Sequence, residues 1–323
     1  MIRLPTLVQP AALAAILRTA APSTVRVLDA TWHLPVPGRP VRNGRAEFCA
    51  GPRLPHARFF DIDRLGDPAT GLPHMLPTQP VMAAALSDLG ISAENATTTQ
   101  QHIVLYDNSS PPAIRAACRA WWTLRAYGIP ASRLSVLDGG LSAWIAAGLP
   151  VDAAPMADAD IAKVGESDLT GEPPFVPFVP VLDSALVRSI DQVRAGIDAG
   201  RMQVVDARPP GRFAGRDPEP RAGLPSGHMP TSLNVPSSAV LDATTGKFKT
   251  PEELQAVFAP VLAALVSDES SHRELVASCG SGVTAAVLAF ALEHAGLTSN
   301  VPVYDGSWTE WAQRARDGDI VGV

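Results

Sequence analysis

The first half of this chain of 323 residues is repeated, in altered form, in its second half. Three short apolar segments occur in the same order and at similar spacing in each half, and each ends in small or turn-forming residues. The matching segments are 25–30 with 203–208, 102–107 with 274–279, and 134–140 with 301–307. Self-similarity of this kind indicates a structural unit of roughly 130 to 150 residues that occurs twice. The sequence therefore predicts two domains of the same fold.

Within each predicted domain, short apolar runs alternate with stretches that have helical spacing. Helices are predicted over 11–17, over 113–127 and over 283–294, the last of them ended by Gly296. Such alternation is typical of an α/β fold, in which a mainly parallel sheet is flanked by helices on both faces. Ligands of such sheets collect at the carboxyl ends of the strands.

The domain boundaries follow from the composition between the repeats. We expect an N-terminal domain over 1–150, an extended linker rich in alanine, aspartate and proline over 151–180, and a C-terminal domain over 181–323. Residues 1–21 carry two arginines, no acid and an apolar run, which is also compatible with a leader. Their helical spacing and the strand that follows at once favour the first helix of the domain.

Composition excludes several functional classes. The net charge is −6, from 26 basic and 32 acidic side chains, so nucleic acid is not expected as a partner. No apolar run approaches the roughly 18 residues of a membrane span, so no membrane insertion is expected. The cysteines Cys49, Cys118 and Cys279 are too few for a disulfide scaffold or a four-cysteine metal site, and the histidines show no paired ligand spacing. We predict no metal and no cofactor, which leaves room for a single reactive thiol.

That thiol is expected in the segment from Cys279 to Thr284. A predicted strand runs into Cys279, which Gly280, Ser281, Gly282 and a helix follow. The two glycines permit a tight loop whose N–H groups can all point inward, and the helix N-terminus favours an anion at its centre. We therefore expect Cys279 to act as a nucleophilic thiolate and the loop to cradle a persulfide.

The other two cysteines and the first repeat lack this arrangement. Cys118 falls inside an alanine-rich helix and Cys49 near a loop, so a buried structural thiol is the simpler interpretation for both. The first half has Asp107 where the second has Cys279, and Pro111 and Pro112 follow it. We therefore predict that the N-terminal domain is catalytically silent.

The order of motifs along the chain resembles that of the tandem rhodanese-domain sulfurtransferases, most closely those of the 3-mercaptopyruvate type. The resemblance covers essentially the whole chain. It rests on residues 29–35, 59–63, 72–77, 120–122, 137–140, 211–213, 218–221, 227–230, 279–284 and 304–308. Two departures concern loop shape. The family's usual Gly-His-Ile-Pro-Gly of the first domain is here Pro52-Arg53-Leu54-Pro55-His56, and Thr231 replaces the usual glycine after the Gly-His-x-Pro of the second.

The resemblance implies roles for particular side chains. Cys279 is the nucleophile that carries the persulfide, and Ser281, His74 and Asp63 form a proton relay. Arg212 and Arg221 match the two arginines that bind the substrate carboxylate, for which a guanidinium is well suited. The remaining substrate-binding positions belong to the cysteine loop; they are Gly280, Gly282, Val283 and Thr284.

The loop also distinguishes between donors. Thiosulfate-preferring relatives carry charged residues after the cysteine, whereas Gly280, Ser281 and Gly282 follow it here, which favours 3-mercaptopyruvate. Two alternatives stay open: a thiosulfate:cyanide sulfurtransferase, and a persulfide carrier module without catalysis. The acceptors implied are thioredoxin, small thiols or cyanide, and we expect a monomer in the cytoplasm or the mitochondrial matrix.

Overall fold

The computed structural model describes residues 3–20, 24–35, 40–91, 93, 101–109, 115–158, 161, 177–268 and 271–322. Contacts among Cα atoms divide the chain into two compact units. Unit one comprises the described residues of 1–34, 40–65 and 77–182, and unit two comprises those of 35, 66–76 and 183–322.

Unit one contains a parallel sheet, and its helices alternate with the strands along the chain. In chain order its elements are β1 Leu7–Val8, α1 Pro10–Leu17, β2 Val25–Asp29, α2 Gly44–Ala50, β3 Arg58–Phe59, α3 Ile62–Leu65, α4 Gln79–Asp88, β4 His102–Tyr106, α5 Ala116–Ala126, β5 Leu134–Leu137 and α6 Gly140–Ala146. Over the described residues the strands lie in the order β1-β5-β4-β2-β3, and every neighbouring pair is parallel.

Unit two repeats this plan. Its elements are β6 Val187–Arg188, α7 Ile190–Asp198, β7 Met202–Asp206, α8 Pro210–Phe213, β8 Leu233–Asn234, α9 Pro251–Leu265, β9 Val266–Asp268, β10 Ser271–His272, β11 Glu274–Ser278, α10 Ala285–His294, β12 Val303–Tyr304 and α11 Ser307–Gln313. The main sheet has the order β6-β12-β11-β7-β8 and is parallel throughout, while β9 and β10 form a separate antiparallel pair.

The two sheets agree in register as well as in order. In unit one β2 pairs with β4 from Val25 opposite His102, and in unit two β7 pairs with β11 from Met202 opposite Glu274. Val25 is therefore equivalent to Met202, and the predicted match of 25–30 with 203–208 is wrong by one residue. Asp107 and Cys279 therefore occupy equivalent positions, one residue beyond the central strand of each sheet. The α/β class with a parallel sheet in each unit, predicted from the repeats, is confirmed.

The strands form because their side chains are buried on both sides of each sheet. All five residues of β2, of β4 and of β7 are buried, which is why they are near-continuous apolar runs rather than alternating ones. Among the described residues, no helix has both the length and the apolar character needed to cross a membrane.

The predicted helices are present with shifted ends. The first begins at Pro10, where proline suits the first turn. Residues 113 and 114 of the second lie outside the described residues, and its described part is Ala116–Ala126. The third begins at Ala285, because Val283 and Thr284 still belong to the turn, and Gly296 with φ 68° follows its end as predicted.

One segment of the first half belongs to unit two. Residues 66–76, which carry His74, lie in that unit, where the backbone N–H of Leu76 donates a 2.7 Å hydrogen bond to Asp305 Oδ2. The predicted linker lies largely outside the described residues. Its described start packs on unit one, where Asp152 forms a bridge with Arg53.

The residues that replace glycine in the two loops, His56 and Thr231, have a backbone conformation that is typical of glycine. His56 has φ 57° and Thr231 has φ 60°, which is the left-handed region that glycine adopts without strain. The two residues are equivalent in the sheets, because each lies two residues before a β-strand, β3 or β8, at the edge of its sheet. The substitutions therefore keep the loop conformation and impose it on side chains that disfavour it.

Candidate active site

Cys279 lies at the carboxyl end of β11, in the middle of the unit-two sheet, and its residue is 2% exposed. The loop then turns through Gly282, whose φ of 78° requires the freedom of glycine, and enters α10 at Ala285. A cysteine between a strand end and a helix N-terminus is where a thiolate receives support from backbone N–H groups and the helix dipole. The structure thus has the strand, loop and helix that the sequence predicts around this thiol.

The N-terminus of α11 holds the outer side of this loop. The backbone N–H groups of Trp308 and Thr309 donate 3.0 Å hydrogen bonds to the carbonyls of Cys279 and Gly280. The Thr309 hydroxyl donates a second bond, of 2.6 Å, to the Gly280 carbonyl. With these carbonyls turned toward α11, the loop cannot flip its peptides without losing three hydrogen bonds.

One expectation about the loop is wrong in detail. The N–H of Cys279 does not point inward, because it donates a 3.2 Å hydrogen bond to Ser307 Oγ. Ser307 is buried, has φ 49° and in turn donates to the Tyr304 carbonyl at 2.8 Å. An anion in the loop therefore depends on N–H groups after Cys279.

Arg212 reaches the loop from α8. A Cβ atom placed on Gly280 would lie 3.1 Å from Arg212 Nη2, so the guanidinium lies close against the backbone of residue 280. The Nε and Nη2 atoms of Arg212 both donate to Oε2 of Glu219, with Nε at 3.2 Å. The guanidinium is thereby held beside the cysteine loop in one orientation.

Glu219 is shared between two arginines. Its Oε1 accepts a 2.8 Å hydrogen bond from Nη1 of Arg208, and its side chain is 2% exposed. Arg208 also donates to both carboxylate oxygens of Asp206, and its guanidinium lies 4.3 Å from the ring centre of Trp308. Burial disfavours the charge of Arg208, but the two carboxylates outweigh burial and raise its pKa above the ordinary value.

Arg221 is connected to the same loop through Thr309. Its Nη1 donates to Thr309 Oγ1 at 3.5 Å, and that hydroxyl donates to the Gly280 carbonyl. Both predicted carboxylate-binding arginines therefore have a structural link to Gly280, one by close approach and one by hydrogen bonds.

The structure also joins two of the predicted proton-relay residues. Nδ1 of His74 lies 3.0 Å from Oγ of Ser281, although 207 residues separate them in the chain. The backbone of His74 has φ 61°, in the left-handed region. Asp63 lies in unit one, at the second residue of α3, with its side chain in a cavity of about 300 Å³ that Arg42, Arg64 and other residues line.

Four positions around the loop had no predicted role: Glu219, Arg208, Ser307 and Thr309. Glu219 belongs to the motif 218–221 and Ser307 to the motif 304–308, on which the resemblance to the family rests. The sequence therefore marked both residues, although it predicted no role for either. Their function depends on contacts between distant segments, which spacing in the sequence does not reveal.

Unit one has the same loop position without the thiol. The carboxylate of Asp107 accepts hydrogen bonds from Arg115 Nη1 at 3.0 Å and from the N–H of Ala117 at 3.1 Å, so it occupies the helix N-terminus itself. At the position of Arg208 this unit has Thr31, which donates through its N–H to Asp29 at 2.8 Å. Among the described residues of this strand end, the position that Cys279 has in unit two is held by an aspartate, and the catalytic silence of the repeat stays a prediction.

No group of three or more His, Cys, Asp or Glu side chains within the described part of the chain is arranged to hold a metal ion. The free thiols Cys49 and Cys118 lie in unit one, in α2 and α5. Burial raises the pKa of both thiols, which disfavours the thiolate form.

Comparison with known proteins places this geometry in a family. The rhodanese-like domain model matches residues 189–314. The 3-mercaptopyruvate sulfurtransferase of Rattus norvegicus is 37% identical over 303 residues, which are 93% of this chain and 89% of that protein. The mitochondrial thiosulfate/3-mercaptopyruvate sulfurtransferase 1 of Arabidopsis thaliana is 37% identical over 296 residues, covering 89% of this chain and 72% of that protein.

A solved structure extends the agreement to the whole fold. The Tum1 protein of Saccharomyces cerevisiae superposes with a TM-score of 0.78 at 28% identity, covering 99% of both chains. The sequence relationship spans both repeats, and the loop with Cys279 lies within the matched domain. The chain therefore belongs to the tandem rhodanese-domain sulfurtransferases, the family that includes the 3-mercaptopyruvate sulfurtransferases, and it is an enzyme of the sulfurtransferase class.

Proposed function

We propose that this enzyme moves sulfur from 3-mercaptopyruvate to a thiol acceptor or cyanide through a persulfide on Cys279. The observation that carries the proposal is the cysteine loop itself. Cys279 stands at the end of a central strand, and the guanidinium of Arg212 lies against Gly280, the next residue. A nucleophilic sulfur and a carboxylate-binding cation are thus adjacent, as a sulfur donor with a carboxylate requires.

In the first half-reaction the thiolate of Cys279 attacks the sulfur of the donor. A sulfur–sulfur bond forms, and the carbon–sulfur bond of 3-mercaptopyruvate breaks. Its electron pair stays with the organic fragment, which leaves as the enolate of pyruvate and becomes pyruvate when its carbon takes a proton. In the second half-reaction the acceptor attacks the outer sulfur of the persulfide and regenerates the thiolate.

Ser281 and His74 are the proposed source of that proton. Oγ of Ser281 is within hydrogen-bond distance of Nδ1 of His74, and the hydroxyl is two residues beyond the nucleophile. A hydroxyl backed by an imidazole can give its proton to the enolate carbon and be protonated again by the ring. Asp63 remains the proposed third member of the relay, on the resemblance alone.

Arg212 and Arg221 are proposed to bind the donor carboxylate. Both are linked to Gly280, and Arg212 is oriented by Glu219. N–H groups of the loop, from Gly280 to Thr284, are proposed to stabilise the negative charge on the sulfur. Because 279–284 contains no lysine or arginine, thiosulfate is the poorer donor in this proposal.

Steady-state turnover of 3-mercaptopyruvate and of thiosulfate, with cyanide as acceptor, tests the donor. We expect a higher kcat/KM for 3-mercaptopyruvate, with pyruvate as product and no turnover by Cys279→Ser. Equal or better use of thiosulfate would overturn the choice of donor. Turnover retained by Cys279→Ser would overturn the mechanism, and persulfide exchange without turnover of either donor would support a carrier.

The acceptor and the compartment follow from the chemistry of a persulfide and a reactive thiol. Thioredoxin or a small dithiol would suit a persulfide, and a reactive thiol suits the reducing cytoplasm or mitochondrial matrix. We also propose a monomer. Rates with thioredoxin, a small dithiol and cyanide compared at equal concentration rank the acceptors, and the mass of the protein in solution tests the monomer.

A further inference from the structure

We propose that Glu219 determines the charge of the donor that this site accepts, and that it favours a singly charged donor over a doubly charged one. The inference rests on the proposed function in one respect: it takes Arg212 as a cation that contacts the donor. It assigns to Glu219 a role in specificity, by holding Arg212 and compensating its charge.

The starting point is the burial of the Glu219 carboxylate. Its side chain is 2% exposed, and both oxygens are engaged by guanidinium groups, Oε1 by Arg208 and Oε2 by Arg212. Arg208 in turn holds the carboxylate of Asp206, which is also buried. The network therefore places two carboxylates against two guanidiniums with little water between them.

The charges in this network cancel. Arg212 meets the cysteine loop as one half of an ion pair, and its charge is compensated before any donor binds. The N–H groups that Glu219 leaves unused can still form hydrogen bonds to a donor, so recognition by geometry is retained. Without Glu219, the positive charge of Arg212 would be uncompensated and would strengthen the binding of a donor with a second negative charge. Glu219 removes this advantage.

The two candidate donors differ in this property. At neutral pH 3-mercaptopyruvate carries one carboxylate and a neutral thiol, whereas thiosulfate carries two negative charges. An anion held by Arg212 lies within reach of the Glu219 carboxylate on the other side of the same guanidinium. Like-charge repulsion in a buried site is weakly screened. Each negative charge on the donor is therefore repelled by the Glu219 carboxylate, and a doubly charged donor loses more binding free energy than a singly charged one.

Neutralising Glu219 without changing its shape tests the proposal. For Glu219→Gln we expect the ratio of kcat/KM for thiosulfate to kcat/KM for 3-mercaptopyruvate to rise at least about tenfold, equivalent to about 1.4 kcal/mol. Glu219→Asp, which keeps the charge, should leave the ratio within about twofold. Glu274→Gln is the matched control, because it removes a carboxylate paired with an arginine, Arg188, at the opposite end of β11.

A binding measurement keeps the test independent of turnover. In a Cys279→Ser background, calorimetry gives the affinity for pyruvate, a single negative charge, and for sulfate, a double one. Glu219→Gln should strengthen sulfate binding relative to pyruvate by a similar factor, while Glu274→Gln should change neither.

The outcomes separate the two proposals. An unchanged donor ratio and an unchanged sulfate-to-pyruvate affinity ratio in a folded Glu219→Gln protein overturn the role of Glu219. Wild-type protein that turns over neither donor overturns the proposed function, and the binding ratio then still decides on Glu219. If Glu219→Gln does not fold, Glu219→Asp decides, because a shift of its ratio toward thiosulfate would contradict a role based on charge.

Discussion

Replacing Gly280 with alanine should separate substrate binding from folding. Gly280 has no left-handed φ, so alanine fits its backbone, but the new Cβ would lie 3.1 Å from Nη2 of Arg212. Unstrained contacts between such atoms begin near 3.5 Å, so the guanidinium must move away by a few tenths of an ångström. Arg212 is also tied to Glu219, and a retreat disturbs that ion pair.

The size of the effect follows from that displacement. Misplacing a binding group by about 1 Å can lower the rate about a hundredfold, so a few tenths of an ångström correspond to about 1 kcal/mol, or about fivefold. We expect this loss in kcat/KM for 3-mercaptopyruvate, chiefly as a higher KM, because the carboxylate is held in the ground state and in the transition state alike. The free energy of unfolding should change by less than about 1 kcal/mol, because Glu219 keeps its hydrogen bond from Arg208 while Arg212 moves.

A double-mutant cycle tests the cause. Gly280→Ala is assayed for pyruvate release in the wild-type background and in the Arg212→Ala background, where no guanidinium is displaced. The alanine should change kcat/KM less than about twofold in the second background. An equal loss in both backgrounds would refute a clash with Arg212. Gly282→Ala is the control, since its φ of 78° predicts a loss of stability instead.

Two further predictions concern stability. Thr231→Gly should raise the free energy of unfolding by about 1 kcal/mol in urea titrations, because Thr231 has φ 60°; a loss of stability would contradict strain there. Burial raises the pKa of Asp29 from 3.8 to about 7, so its stabilising contribution, present below pH 4, is lost as the pH rises to 7. The stability of wild type relative to Asp29→Asn should therefore fall by up to about 4 kcal/mol between pH 4 and pH 8, and a difference independent of pH would contradict it.

The pKa prediction for Asp29 reflects how the two repeats diverged. In unit two the equivalent aspartate, Asp206, is paired with Arg208, and in unit one the position of that arginine is held by Thr31. A hydroxyl and an N–H from Thr31 stabilise the Asp29 carboxylate less than a guanidinium would. The repeat without a cysteine at this strand end thus also lacks the cation of the buried pair.

Local patterns were sufficient to predict the fold and the position of Cys279 at the end of a strand. The apolar runs of β2 and β11 are strands because parallel sheets are buried on both faces, and a cysteine at the end of such a run lies where ligands bind. Gly282 has the positive φ that a tight loop requires. These features depend on neighbours in the sequence, and a sequence displays them directly.

Contacts between distant segments could not be predicted in this way. The bond between His74 and Ser281 requires residues 66–76 to pack with unit two, which no local pattern specifies. The N–H of Cys279 was expected to face the anion, but it donates a hydrogen bond to Oγ of Ser307, the first residue of α11. Glu219 stood in a recognised motif, yet its role emerges only from the burial of its carboxylate between Arg208 and Arg212.

The most direct test of sulfur transfer through Cys279 is the intact mass of the protein after a single addition of 3-mercaptopyruvate without acceptor. We expect a gain equal to one sulfur atom, located on Cys279 by peptide mapping, together with release of one equivalent of pyruvate and loss of the extra mass when cyanide is added. Cys279→Ser should gain nothing, and Arg212→Ala should gain the sulfur more slowly. Pyruvate release without added mass, or sulfur found on Cys49 or Cys118 instead, would contradict a persulfide at this loop.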